Sequence, residues 1–170
     1  NIPGEPVREV RINQIGNLKT EVGVDLAGLD SEVFTWLNAT SRDTVLSSQN
    51  IKLFVTSGKR SVQGQMEEVV ADCVDPNADR CTAKQNRPVA CIPRDATGSN
   101  CPHVAGKAVD VWGMVEGATT HCDRDSSCQA QVIEAMKASG FCVITNPNEP
   151  WHFELESQIA ANRKGVFDCP

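Results

Sequence analysis

His103-Val-Ala-Gly-Lys-Ala-Val-Asp-Val-Trp112 (HVAGKAVDVW) decides the reading of the fold, because it passes from a turn into a β-type alternation without a break. Ala108 to Trp112 (AVDVW) alternates as a half-buried strand does, and Gly106 supplies a turn just before it. A loop histidine followed seven residues later by an aspartate inside that strand can bring both side chains to one point. Downstream, Glu149-Pro-Trp-His152 (EPWH) enters another β-type run, His152 to Leu155 (HFEL). Pro150 restricts the backbone there, so Glu149 and His152 hold a defined relation to each other.

Outward from these segments the chain alternates helices and short strands. Asp30 or Ser31 can cap a helix through about Asn38, with Val33, Phe34 and Leu37 on one face. Ile51 to Thr56 (IKLFVT) is a compact β-type run ended by Ser57-Gly58, and Ser61 to Asp72 leaves that turn at helical spacing. Ser126 to Ser139 reads as a helix capped by Ser126 or Ser127 and stopped by Gly140. Phe141 to Thr145 (FCVIT) is a further strand. Residues 73–102 hold four cysteines and little periodicity, the mark of a long loop that needs staples or a function. The expected fold is α+β: a small single domain with a central antiparallel sheet, helices packed on it and disulfide-stapled loops. Residues 1–28 are expected to lie over this domain as an arm.

Composition narrows the function classes. At 170 residues, 40% hydrophobic and 22% charged, the chain can bury a proper core. A net charge of −6 argues against a nucleic-acid or anionic-membrane binder, because phosphate contacts need clustered Lys and Arg. No apolar run approaches the length of a membrane span. The chain opens at Asn1 without a charged-then-apolar leader, which fits a processed or trimmed form. Eight cysteines (Cys73, Cys81, Cys91, Cys101, Cys122, Cys128, Cys142 and Cys169) contain no C-x-x-C pair. They read as up to four disulfides rather than a zinc ribbon, with Cys73–Cys81 and Cys122–Cys128 as local staples. Disulfides persist in oxidising compartments, so a secreted, extracellular or periplasmic protein is expected. Asn38-Ala-Thr40 is an N-glycosylation sequon, relevant only in a source that glycosylates.

The chemistry rests on two of the three histidines. His103, Asp110 and His152 make two imidazoles and one carboxylate, a suitable shell for catalytic Zn²⁺, which takes three protein ligands and leaves a position for water. Glu149 is close enough to His152 to act as a base beside such an ion. A lone His or Asp at a strand edge is more often a hydrogen-bonded surface residue, and His121, in the polar loop ATTHCDRDSS, is given no role. Trp112 and Trp151 flank the ligands and read first as packing behind the site, with cleft-lining platforms as the alternative. Glu154 shares a strand face with His152 and can orient it.

Together these residues resemble a known family. His103-x-x-Gly106-x-Ala108-x-Asp110 with Glu149-Pro150-Trp151-His152 is similar to the signature of the zinc D-Ala-D-Ala carboxypeptidases and related LAS-type peptidoglycan peptidases. Thr56-Ser-Gly-Lys-Arg-Ser61 is similar to that family's S-G-x-R-S segment, and Gln65 fits the Gln that follows it. The resemblance spans Ser57 to His152. It implies one zinc on His103, Asp110 and His152, Glu149 as general base, and Arg60 steadying an oxyanion. It also implies Ser57, Gln65 and Trp151 near the substrate. Cys101 stands where the family places a substrate-binding Ser, and Ser99 is the nearby hydroxyl that can replace it; Lys59 stands where an aromatic is common.

The resulting expectation is a secreted, monomeric zinc peptidase acting on peptidoglycan peptides, as a D,D-carboxypeptidase or a stem-peptide endopeptidase. Residues 45–170 form its zinc peptidase domain, and residues 1–44 an arm and helix packed on it as one globular unit. The alternative is a zinc-binding recognition module on the same fold without turnover, as Hedgehog-type domains are. A stapled structural domain without metal is the more distant third reading.

Overall fold

Ile51–Ser57 (IKLFVTS) buries all of its hydrophobic residues, and its alternation sends Leu53 and Val55 to one side of the sheet and Phe54 and Thr56 to the other. The computed structural model describes residues 13–15 and 18–170. Its elements are β1 (Asn13–Ile15), β2 (Leu18–Thr20), α1 (Ser31–Thr40), α2 (Thr44–Ser48), β3 (Ile51–Ser57), α3 (Val62–Asp72), β4 (Ala108–Val115), α4 (Ser127–Ala138), β5 (Phe141–Ile144), β6 (Glu149–Leu155) and β7 (Phe167–Asp168). Short 3-10 turns occupy Glu156–Gln158 and Lys164–Val166.

The strands form one sheet in the order β1-β2-β3-β4-β6-β5-β7. The α+β class stands, but the sheet is mixed rather than antiparallel throughout. β2 pairs with β3 in parallel, Leu18 opposite Leu53, while the other neighbours are antiparallel. The physical reason is the connection: the chain leaves β2, runs through α1 and α2, and re-enters the sheet in the same direction. The arm expected over residues 1–28 lies partly outside the described residues. Its described part includes β1 and β2, and Leu18 and Thr20 are buried.

One face of the sheet carries the core. Val33 and Leu37 of α1 and Val132, Ala135 and Met136 of α4 pack with Leu53, Val55, Val109, Val111, Phe141, Val143, Phe153 and Leu155. On β4 this leaves Asp110 and Trp112 on the opposite face, between the core-facing valines. The caps are those the residue types call for. Asp30 accepts from the backbone N–H of Glu32 and Val33, Ser61 from Gly64, and Ser126 from Gln129. The Asn38 sequon falls in the last turn of α1, where Thr40 is buried and donates to the Trp36 carbonyl.

Four disulfides close: Cys73–Cys81, Cys91–Cys101, Cys122–Cys128 and Cys142–Cys169. The first and third are the local staples suggested by spacing. The second pins the long loop to the turn before His103, and the fourth ties the tail to β5.

Gln129 solves a problem in the ladder. The β4–β6 register runs Ala108↔Glu154, Val109↔Phe153 and Asp110↔His152, and has no further pair toward Pro150. Gln129, 0% exposed, fills that gap. Its Oε1 accepts from Gly113 N–H at 2.9 Å, and its Nε2 donates to the carbonyls of Val111 (3.1 Å) and Pro150 (2.8 Å). Leucine at this position keeps the volume but strands three buried backbone groups. Gln129→Leu is therefore expected to cost about 2–4 kcal/mol in urea unfolding. A loss below about 0.5 kcal/mol would mean that these bonds do not hold the two strands together.

Candidate functional site

Three backbone segments meet where β3 ends. Gly58 follows β3, and its backbone approaches Asp25 so closely that a Cβ there would sit 2.2 Å from the Asp25 carbonyl oxygen. Arg60 N–H donates to the His103 carbonyl at 3.0 Å, joining the β3–α3 turn to the 101–106 turn. Gly106 adopts φ +72°, the left-handed conformation that glycine favours, and brings the chain into β4. The Asp110↔His152 register then sets the second histidine beside the aspartate.

His103 Nε2 lies 3.2 Å from Asp110 Oδ1, and His152 Nδ1 lies 3.4 Å from the same oxygen. The two rings meet edge to face, with centroids 5.2 Å apart. Outer contacts fix both tautomers. The Gly58 carbonyl, 3.0 Å from His103 Nδ1, can only accept, so that nitrogen carries a proton and Nε2 is the atom that faces Asp110 and would ligate an ion once deprotonated. His152 Nε2 donates to Glu154 at 2.8 Å, leaving Nδ1 facing Asp110. Arg163 holds Glu154 in turn through two bonds of 2.9 and 3.0 Å. One donor atom from each of His103, Asp110 and His152 lies within 4.8 Å of the others. Two imidazole nitrogens, which would shed a proton to an incoming ion, and a carboxylate, each with an outer partner, fit Zn²⁺ in both composition and orientation.

The electrostatics follow from burial and neighbours. Burial disfavours the Asp110 charge, but His103 and His152 outweigh it and hold the carboxyl far below the usual range. Burial likewise opposes charge on His152, yet Asp110 and Glu154 raise it to about 9. Glu149 differs. It is 9% exposed, and burial pushes it up to about 7, with His152 opposing and the charges of Asp110 and Asp72 adding to the rise. Its carboxylate makes no hydrogen bond among the described residues. A largely buried residue whose carboxylate opens on the cleft beside a ligand set is the physical profile of a functional base.

These groups line a cleft of about 310 Å³, which also takes in Arg60, Gln65, Trp151, Glu68, Asp72 and Arg163. Arg60 donates to Gln65 Oε1 at 3.2 Å and to Asp110 Oδ2 at 3.5 Å. Gln65 Nε2 donates to the Cys91 carbonyl at 2.9 Å, so one amide positions both the guanidinium and the loop wall. Trp151 stacks on Trp112 with centroids 5.0 Å apart. The other face of Trp112 meets His121 at 4.0 Å, and Arg124 lies over Trp151. The aromatic pair is thus a packed ladder with an edge at the cleft, not an open platform.

Two expected substrate contacts lie elsewhere. Ser57 is buried behind His103, its Oγ 3.5 Å from Nδ1. Ser99 sits in an exposed turn, where Thr97 Oγ1 hydrogen-bonds it and Asp95 caps the loop. The local Asp95–Thr97 bonds hold that turn away from the cleft. Cys101 lines the cleft but is bonded to Cys91, so no hydroxyl replaces the family's serine there. Sequence reasoning missed Glu68 and Arg163. Arg163 lies in the tail beyond β6, where no motif marks it; Glu68 shares a helix face with Gln65, a signal that was available.

No family profile matches the chain, and no curated protein is similar to it in sequence. Solved structures do share its fold. One is VanYB in complex with D-alanine-D-alanine, at TM-score 0.50 and 20% identity, covering 88% of this chain and 80% of that one. Another is a mutant of the vancomycin-resistance D,D-pentapeptidase VanY, from a VanB-type resistance cassette, in complex with Zn(II), at TM-score 0.51 and 19% identity, covering 88% and 81%. The chain therefore has the VanY-type fold.

Proposed function

We propose that this protein is a secreted zinc-dependent peptidase that hydrolyses amide bonds in peptidoglycan peptides, beside a D-amino acid. The observation that carries the reading is Glu149: a largely buried residue whose carboxylate lines the same cleft as His103, Asp110 and His152, on a fold shared with a D,D-pentapeptidase. A recognition module has no use for such a base, and this favours the enzyme over the binding module. The secreted setting is supported by four disulfides, which last in oxidising compartments.

His103 Nε2, Asp110 and His152 Nδ1 would hold the ion. When bound, it supplies Lewis acidity toward a carbonyl oxygen and makes water more acidic. The chain's own residues do the rest. Glu149 takes the proton of the attacking water and returns it to the departing amine nitrogen. Arg60 faces the cleft and balances the charge that develops on the carbonyl oxygen, while Gln65 keeps its guanidinium in place. Glu154 and Arg163 hold His152 in the ligating tautomer.

The test is a soluble stem peptide ending in D-Ala-D-Ala, incubated with protein of measured metal content, with and without chelator. One equivalent of zinc and a cleavage that stops on chelation and returns with zinc are the expected results. Zinc-loaded protein that leaves the peptide whole contradicts the reading. Arg60→Ala is expected to lower kcat by about 10²–10³-fold with little change in KM, because the guanidinium acts on charge that develops only in the transition state. A change confined to KM would move Arg60 from oxyanion to substrate binding.

A further inference from the structure

The cleft walls are charged, but nearly every charge is already matched. Arg60 is taken by Asp110 and Gln65, and Arg163 by Glu154. Asp72 is taken by Arg87 at 2.6 Å, and both histidines face Asp110. Two cleft-lining charged groups have neither an ion pair nor a hydrogen bond among the described residues. One is Glu149, which the proposed reaction uses. The other is Glu68.

Glu68 is half-buried on α3, on the face that also presents Gln65 and Asp72 to the cleft. Gln65 anchors the loop wall through the Cys91 carbonyl, and next to that anchor the wall continues as Pro88, Val89 and Ala90. Val89 is 46% exposed, so the cleft has an apolar strip and one unmatched carboxylate in the same lining. An aliphatic chain ending in a cation satisfies both: its methylenes cover the strip, and its charge meets the carboxylate.

We infer that Glu68 is a specificity-determining residue that binds a primary ammonium carried on an aliphatic side chain of the substrate, a lysine-type residue next to the scissile region. This rests on the peptide-hydrolase reading above. An amine with a carboxylate on the same carbon suits the subsite less well, because Glu68 repels that second carboxylate.

The test uses binding, so that it does not depend on turnover. Two stem peptides, identical except for lysine or Nε-acetyl-lysine at the residue preceding D-Ala-D-Ala, are titrated by calorimetry into zinc-loaded Glu149→Gln protein. The lysine peptide is expected to bind about fivefold to tenfold more tightly. That preference is expected to vanish in the Glu149→Gln/Glu68→Gln double variant and to survive in part with Glu68→Asp. Equal binding of the two peptides, binding of neither, or a preference that persists in the Glu68→Gln background overturns the inference. Wild-type turnover of the same peptides reports separately on the hydrolase reading. Selective binding without cleavage keeps the subsite and defeats the enzyme; cleavage without selectivity does the reverse.

Discussion

Glu149→Gln is expected to abolish hydrolysis and, in the same protein freed of metal, to raise stability. The activity loss should reach about a thousandfold, because the amide can neither take the proton from water nor return it to the leaving nitrogen. The stability gain comes from the same burial that makes the residue useful. The ordinary value is 4.5, and the folded protein raises it to about 7. The folded state therefore holds this proton more tightly than the unfolded chain does. Between those values the wild type loses stability as pH rises, because the buried group must ionise. Glutamine never ionises, so the variant escapes that loss. After allowance for solvent at the cleft mouth, the gain in chelated protein at pH 8 should be about 2 kcal/mol, shrinking to nothing below pH 4.5. Urea unfolding at pH 4 and pH 8 reads this directly. The wild type's kcat/KM should fall on the acid side as Glu149 takes up its proton. The ion's positive charge places that limb below 7. A variant that is inactive but no more stable at pH 8 would mean that Glu149 is not held in the desolvated state described here.

Asp110→Asn carries the other large effect. Asp110 faces His103, His152 and Arg60 at once, so it is both the negative member of the ligand set and the counter-charge of the cleft. Asparagine keeps the shape and removes the charge. Zinc content by elemental analysis should fall from one equivalent to a small fraction, and hydrolysis should fall to background. Without metal the variant should also be less stable than the wild type by about 3–5 kcal/mol at neutral pH, because Arg60 and His152 lose their shared anion. Full zinc occupancy in Asp110→Asn would remove Asp110 from the ligand set.

Much of the site could be read in the chain because its residues come in two short runs. Gly106 and the alternation of AVDVW mark the entry into β4, and Pro150 marks the entry into β6. What the spacing could not supply was the register: Asp110 opposite His152 is a pairing between residues 42 apart in the chain, set by the sheet and not by local propensity. The residue types of the two runs suggested one ligand set, and the resemblance to a known family strengthened the join. Ser99 went astray because its turn is governed by Thr97 and Asp95, two and four residues before it, a local preference that overrode its nearness to His103. β1 and β2 are three residues each, too short for any alternation to register, so the parallel edge and the mixed sheet went unread. α2, at five residues, is too short for a helical period to show. Arg163 lies in a tail without pattern, and only the fold brings it to Glu154.

The most direct test of the central claim is digestion of purified peptidoglycan by zinc-loaded wild type, with products read by mass spectrometry against chelated and Glu149→Gln protein. Loss of a terminal D-Ala or an internal stem-peptide cut, present with wild type and absent from both controls, is the expected result. The mass of the product identifies the bond. Intact peptidoglycan after treatment with protein carrying one zinc, or the same products from Glu149→Gln, would contradict the account.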